Sequence, residues 1–453
     1  MKDINRVFST YAFLSGFLRR VLMASTCVCL CSISLASPTA QQSLSDAESD
    51  PRKLELMQGF PPPVDKRITL PDSVFFSFPN LRWSVCHMRE LLPTANIERH
   101  PDAYNLLPVD LDDAIDDIAF TPIDAESSMT WRESLAHNYT DGILILHRGR
   151  IVYERYRGCL TPDTRHAAMS MTKSLTGLLA EILIAQDLLD ENAKVSAIIP
   201  ELTESAFGSA TVRQVMNMTT AIQYSENYAD PNADIWQYAY AANPLPKPDD
   251  YAGPVGYFEY LQTVQQQGEH GQVFGYKTVN SDVLGWILAR TSGKSYNHLA
   301  SELVWEKIGA KYSADITVDG LGTPFAGGGL SATLQDLARL GFVVLNRGYS
   351  NGVEVIPSDA INSIMAGGDK SAFDKAGFST MPGGSYQSMW WHFHNANGAF
   401  AARGVHGQTI YIAPTADMVI VRLASHPSAA NSVIDPTSLP AYEAVAQYLM
   451  ALN

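Results

Sequence analysis

The chain has 453 residues, 46% of them hydrophobic and 17% charged, which supplies enough apolar material for a packed core and excludes wholesale disorder. Its formal net charge of −15 argues against nucleic acid as a partner, because phosphate binding needs a basic surface. No fixed-period repeat is present, and beyond the first segment no stretch of about 18 apolar residues reads as a membrane span.

Residues 1–36 set Lys2, Arg6, Arg19 and Arg20 against Asp3, then run apolar from Val21 to the small-residue exit Ser34-Leu35-Ala36. Basic head, short apolar middle and small-x-small exit make a Sec-type signal peptide, which predicts a periplasmic or secreted protein. Its removal leaves a net charge of −18 and no stable membrane insertion. It also takes away Cys27, Cys29 and Cys31. Cys86 and Cys159 remain; they form a disulfide if their Cα atoms come close enough, and otherwise stay as two partly buried thiols. Residues 37–66, rich in Ser, Asp, Gln and Pro, read as a flexible lead-in, residues 67–130 as an arm packed on the body, and residues 131–453 as the main domain.

Within the main domain, Gly142-Ile143-Leu144-Ile145-Leu146 and Ile151-Val152-Tyr153-Glu154 flank a Gly-containing turn and predict a hairpin. Residues 174–189 are apolar nearly all round, through Leu175, Leu178, Leu179, Ile182, Leu183, Ile184 and Leu188, which predicts a helix in the middle of the domain. Thr211 is a plausible cap for a further helix. Residues 224–260, rich in Tyr, Asp, Asn and Pro, read as a loop region over a cleft. Helical periodicity marks residues 281–290 and 334–345, strands are predicted over 388–394, 409–413 and 418–424, and a last helix over 441–451. Strands at both ends of a helical middle point to an α+β domain, one sheet completed by the C-terminal part.

Three segments could carry chemistry. In Ser170-Met171-Thr172-Lys173 the hydroxyl and the amine share one face of a helix. A serine is a weak nucleophile until a neighbour takes its proton, and a buried lysine does so when desolvation lowers its pKa. Tyr276, just before a helix, could share that base role beside a lysine. In Ala402-Arg403-Gly404-Val405-His406-Gly407-Gln408 the small residues let the backbone approach a ligand, so that an N–H there joins that of Ser170 as an oxyanion hole. His392 and His394 lie on one face of a strand, but no carboxylate or cysteine joins them at ligand spacing, so no metal site is assigned.

In this order the three segments resemble the serine β-lactamase and penicillin-binding protein superfamily, its class C-like branch in particular. Within that branch Trp83-Ser-Val-Cys-His-Met-Arg-Glu-Leu-Leu-Pro-Thr, Tyr224-Ser-Glu-Asn-Tyr228, Phe274-Gly-Tyr-Lys-Thr-Val-Asn-Ser-Asp-Val-Leu-Gly-Trp286 and Ala326-Gly-Gly-Gly-Leu-Ser-Ala-Thr look most like 6-aminohexanoate-dimer hydrolases. The resemblance implies a β-lactamase/transpeptidase-like fold, an antiparallel sheet flanked by helices with an all-helical subdomain. It implies an acyl-enzyme on Ser170, proton transfer by Lys173 and Tyr276, and an oxyanion hole from the N–H groups of Ser170 and Val405, with Gln408 as an alternative to Val405. Tyr228 would hydrogen-bond the substrate amide, and Asn280 could stand in for the amide of the family's Tyr-x-Asn, with Gln408 also near the substrate. Independently of the resemblance, His406 could polarise a substrate or simply satisfy a turn. No metal or organic cofactor is implied. The partner would be a small-molecule amide or ester, and a homodimer is compatible with the sequence. Two departures matter: the usual Tyr-x-Asn reads Tyr276-Lys277-Thr278, and the usual Lys-Thr-Gly reads Ala402-Arg403-Gly404. Arg403 could replace the missing lysine, and both changes favour linear amides or esters over β-lactams. A carboxylesterase, a D-amino-acid peptidase and a non-hydrolysing covalent sensor or scaffold are the rival readings.

Overall fold

Seven strands make the central antiparallel sheet: β1 (Thr140–His147), β2 (Arg150–Tyr156), β3 (Ser385–Gln387), β4 (Trp390–His392), β5 (Phe400–Gly404), β6 (Gln408–Ala413) and β7 (Met418–Ala424), in the order β3-β4-β5-β6-β7-β1-β2. The computed structural model describes residues 44–452 except 71–73, 103 and 229. The signal-peptide reading of residues 1–36, with its three cysteines, and the start of the lead-in lie outside the described residues. The expected hairpin is β1–β2, closed by Arg148 and Gly149, both at positive φ (52° and 74°). That is the two-residue geometry that matches the strands' own twist.

Every residue of β1 is buried, because both faces of the sheet are covered. Ile143 and Ile145 join Tyr411, Ile420, Tyr442 and Val445 under the C-terminal helix. Leu144 and Leu146 belong to the larger core on the other face, with Val419, Val421, Leu337 and Leu178. Alternation along one strand therefore feeds two helical layers. The larger core contains α1 (Met171–Ala185), buried from Met171 to Leu183 as an all-round apolar helix must be. It starts three residues earlier than its apolar run and ends at Ala185, so Leu188 lies outside it and is exposed.

Three other expectations are corrected. Residues 224–260 contain two helices, α2 (Asp234–Ala242) and α3 (Gly256–Thr263), whose Ile235, Tyr238, Tyr257 and Leu261 are buried; tyrosine on a short amphipathic helix hides its periodicity. The strand expected over 388–394 shrinks to β4, because Ser388, Met389 and His394 all adopt positive φ. The last helix begins at Asn431 rather than 441 and carries Pro436 and Pro440 inside it, the residues at which a sequence reading stops.

A second, four-stranded sheet orders Thr94–Ile97, Ala314–Thr317, Leu330–Ala332 and His166–Ala167. The arm supplies the first of these strands. Residues 44–66 carry only turns and one short 3-10 turn, yet Asp46 accepts hydrogen bonds from Arg82 (2.8 Å) and Arg157 (2.5 Å). Cys86 and Cys159 are joined as a disulfide with Cα atoms 6.1 Å apart, which settles the alternative that the sequence left open. The bridge ties the arm to the segment just before the site across 73 positions, a loop whose closure entropy corresponds to about 4 kcal/mol. Cys86→Ser is accordingly expected to lower the unfolding free energy in urea by about 2–4 kcal/mol; an unchanged midpoint would show that strand pairing, packing and ion pairs hold the arm without the bridge.

Candidate active site

The second sheet delivers the site. Ala167 pairs with Ser331, and the Ala168 N–H donates to the Leu330 carbonyl at 2.8 Å. Met169 follows in the left-handed region at φ 48°, a costly conformation for a residue with a side chain, and Ser170 then leads into α1. The Ser170 side chain makes no capping bond to its helix. It accepts instead from Lys173 Nζ at 2.9 Å. Lys173 is 1% exposed; its amine also donates to the Gly327 carbonyl at 2.5 Å and lies 5.2 Å from the centre of the Tyr276 ring.

Burial holds the Lys173 amine below its ordinary value, while Glu226 and Asp282 pull it back up. The Tyr276 phenol is pushed the other way, first by burial and then by Glu226, with its hydrogen bond to Ser170 and the charge of Arg403 opposing. At rest the phenol therefore keeps its proton, and of the two groups only the amine is brought close to neutral pH, at about 8.

The strand end β5 closes the other side. A Cβ on Gly404 would lie 2.8 Å from the Ala168 carbonyl oxygen and 3.0 Å from Ser170 N, so only glycine allows this approach. Among the described residues neither the Ser170 N–H nor the Val405 N–H is taken up by a backbone carbonyl. Two N–H groups not spent on the backbone, at the two ends of this close approach, are the kind of donor an oxyanion uses.

The other residues expected at the site divide, and three are turned away from any ligand. Asn280 is fully buried: its amide donates to the Lys277 carbonyl and its oxygen accepts from Thr220, so it braces the start of α4 (Val279–Ser292) and does not line a substrate. Gln408 is fully buried as well, bonded through both ends of its amide to Ala424 and through its nitrogen to the Val405 carbonyl, so its side chain fixes the turn from Val405 to Gly407 and is not free for a ligand. His406, at φ 63°, bonds the His426 carbonyl at 2.7 Å and satisfies a turn. Arg403 is ion-paired with Asp435 and 7% exposed, so it cannot serve as a free partner for a carboxylate. Tyr228 is 42% exposed at the mouth of the site, its hydroxyl donating to Glu226 at 2.8 Å and its ring edge-on to Trp236.

Sequence reasoning passes over Glu226, Gly327 and Asp282. Glu226 accepts from the Thr278 N–H and hydroxyl, both at 2.5 Å, and so couples the Tyr228 segment to the entry of α4. The signal for it is a glutamate inside Tyr224-Ser-Glu-Asn-Tyr228, two positions from the tyrosine at the mouth.

The family model described as Beta-lactamase matches residues 133–438. The chain belongs to the beta-lactamase family. It is thus a serine hydrolase with the β-lactamase/transpeptidase-like fold, as the resemblance implied. It is 36% identical, over 77% of its length and 86% of the relative's, to 6-aminohexanoate-dimer hydrolase of Paenarthrobacter ureafaciens. A Bacillus anthracis structure provisionally given the same activity superposes with a TM-score of 0.76 at 31% identity, covering 83% of this chain and 96% of the other. The octameric penicillin-binding protein homologue from Pyrococcus abyssi, at 18% identity and a TM-score of 0.51 over 68% and 74% of the two chains, shares the fold.

Proposed function

We propose that this member is an exported amidase that cleaves short linear amides of the 6-aminohexanoate-oligomer type through an acyl-enzyme on Ser170. The observation that carries the reading is the 2.9 Å hydrogen bond from a fully buried lysine amine to the serine hydroxyl; the likeness to a 6-aminohexanoate-dimer hydrolase supports the substrate class. Ser170 Oγ attacks the amide carbon as Lys173 accepts the hydroxyl proton, and the carbonyl oxygen becomes an oxyanion on the N–H groups of Ser170 and Val405. The C–N bond then breaks, the leaving nitrogen takes the proton back from Lys173 with Tyr276 as relay, and the amine departs. Water repeats the sequence on the acyl ester and frees Ser170. No step uses a metal or an organic cofactor.

The test is to mix the protein with linear 6-aminohexanoate dimer, a p-nitrophenyl ester and a penicillin, following product and the mass of the protein together. The expected outcome is continued release from the dimer and the ester with a transient adduct on Ser170, and slow or no penicillin turnover because Arg403 is held by Asp435. A stoichiometric burst followed by silence would favour the sensor reading instead, and ester cleavage without dimer cleavage the carboxylesterase. Tyr228→Phe is expected to lower kcat/KM on the dimer about 10-fold and on the ester less than 3-fold, since only the amide offers an N–H to the phenol; equal losses would remove its substrate role.

Export is part of the proposal. The Cys86–Cys159 bond suits an oxidising compartment. N-terminal sequencing of protein recovered outside the cytoplasm is expected to begin at Ser37, and a chain retained uncut in the cytosol would remove this part.

A further inference from the structure

Behind Lys173 stands a titratable group that the reaction above leaves unused. Asp282 lies in the first turn of α4 and is 2% exposed. Among the described residues no donor reaches either carboxylate oxygen with good hydrogen-bond geometry, although the Tyr238 hydroxyl and the N–H groups of Ala326 and Gly327 face it. An unpaired buried carboxylate is strongly disfavoured, so one held in place calls for a physical reason.

Gly327 supplies it. Its carbonyl accepts the Lys173 amine at 2.5 Å, and a Cβ added to it would meet Asp282 Oδ2 at 3.0 Å. One glycine thus touches the amine through its carbonyl and the carboxyl across the bare face where a side chain would intrude. The other groups around Asp282 are phenols: Tyr224 on the segment before α2, Tyr238 on α2, Tyr257 on α3 and Tyr296 beyond α4. The hydroxyls of Tyr224 and Tyr238 are buried without a partner as well. On the other side, Lys173 faces Glu226, which is already engaged by Thr278 and Tyr228, and Tyr276, which feels Arg403.

We propose that Asp282 is a positioning residue for catalysis: packed against Gly327 on the side opposite the Lys173 amine, it favours the ammonium form of Lys173 and so sets how readily that amine takes and returns the serine proton. Burial alone drives the amine down, toward a base too weak to take the serine proton, and Asp282 is one of two carboxylates that oppose it. The lysine in turn opposes the upward push that burial exerts on Asp282. The two groups therefore titrate as a linked pair. The inference rests on the proposed role of Lys173, and the experiment separates the two.

Asp282→Asn removes the charge at nearly constant shape. Two readouts are followed against pH: kcat/KM on the p-nitrophenyl ester, and the rate at which a fluorophosphonate labels Ser170. The sign does not depend on which protonation state of Lys173 acts. Losing a nearby anion weakens the ammonium form, so the lysine-linked limb moves to lower pH. The expected shift is about one pH unit in both readouts, with KM unchanged, since Asp282 touches no substrate. A folded variant whose limb stays put overturns the proposal. If the wild-type Ser170 resists the label, the hydrolase reading falls first; if it labels and only the Asp282 effect is missing, that reading stands alone. Should Asp282→Asn fail to fold, Lys173→Met supplies the reciprocal measurement. The Asp282 carboxyl, followed by carbon-13 NMR, is expected to titrate at higher pH once the amine is gone, and an unmoved midpoint overturns the proposal equally.

Discussion

Replacing Ser170 by alanine is expected to cut steady release from both the 6-aminohexanoate dimer and the p-nitrophenyl ester by about 10⁴-fold or more and to abolish the protein adduct, with the fold intact. The size follows from the way nucleophile and base act as a unit: without the oxygen there is no covalent route, and only binding and oxyanion stabilisation remain. The fold should survive because the lost contact is small. Ser170 is 9% exposed, its side chain caps nothing, and Lys173 keeps its bond to the Gly327 carbonyl when the hydroxyl goes. The stability cost is that of one hydrogen bond to a charged group, about 1–3 kcal/mol. Circular dichroism with the same urea series checks the fold, and a folded variant retaining more than a few per cent of the rate would move the nucleophile elsewhere.

The geometry around this hydroxyl is legible in the sequence where spacing along one element fixes it. Ser170, at the entry of α1, and Lys173 are one turn apart, so their contact follows from helical pitch. The hairpin β1–β2 is legible for the same reason, as a local object closed by two residues. What spacing cannot give is the direction of a side chain at a junction between elements. Asn280 stands four positions after Tyr276, a distance that suits a shared ligand, yet helix α4 begins between them and turns the amide onto Thr220. Gln408 opens β6 with its side chain against β7, although its neighbour Val405 faces the serine loop.

Groups brought in by non-local pairing escape such a reading altogether. The Gly327 carbonyl reaches Lys173 because the strand after it, Leu330–Ala332, pairs with the strand before Ser170, and the two partners of that bond stand 154 positions apart in the chain. Asp282 gives no pattern at all, being a single carboxylate on an otherwise apolar helix face. Its burial is itself the signal, and burial is a property of the folded chain.

Gly404→Ala tests the other half of the site. The added carbon would lie 2.8 Å from the Ala168 carbonyl oxygen, 3.0 Å from Met169 Cβ and 3.0 Å from Ser170 N, two of them backbone atoms with little room to yield. The Ala168 side is pinned by its own N–H on Leu330 and by the pairing of Ala167 with Ser331. The Val405 side is pinned by the pairing of Gly404 with Gln408 and by the Gln408 amide on the Val405 and Ala424 carbonyls. The overlap must therefore open the gap between strand and serine loop by a few tenths of an ångström, which is enough to misplace a donor whose value depends on aim. A fall of about 10²–10³ in kcat is expected, the size seen when one oxyanion donor is lost, with a stability cost of about 1–3 kcal/mol from overpacking. Gly398→Ala is the control. It also sits at a turn next to β5, at φ 61°, but an added Cβ meets nothing within 4 Å, so backbone strain alone should destabilise it by about 1 kcal/mol and leave kcat unchanged. If Gly404→Ala folds and keeps kcat within about threefold of the parent, the end of β5 does not hold the oxyanion and the second donor has to be sought on another element.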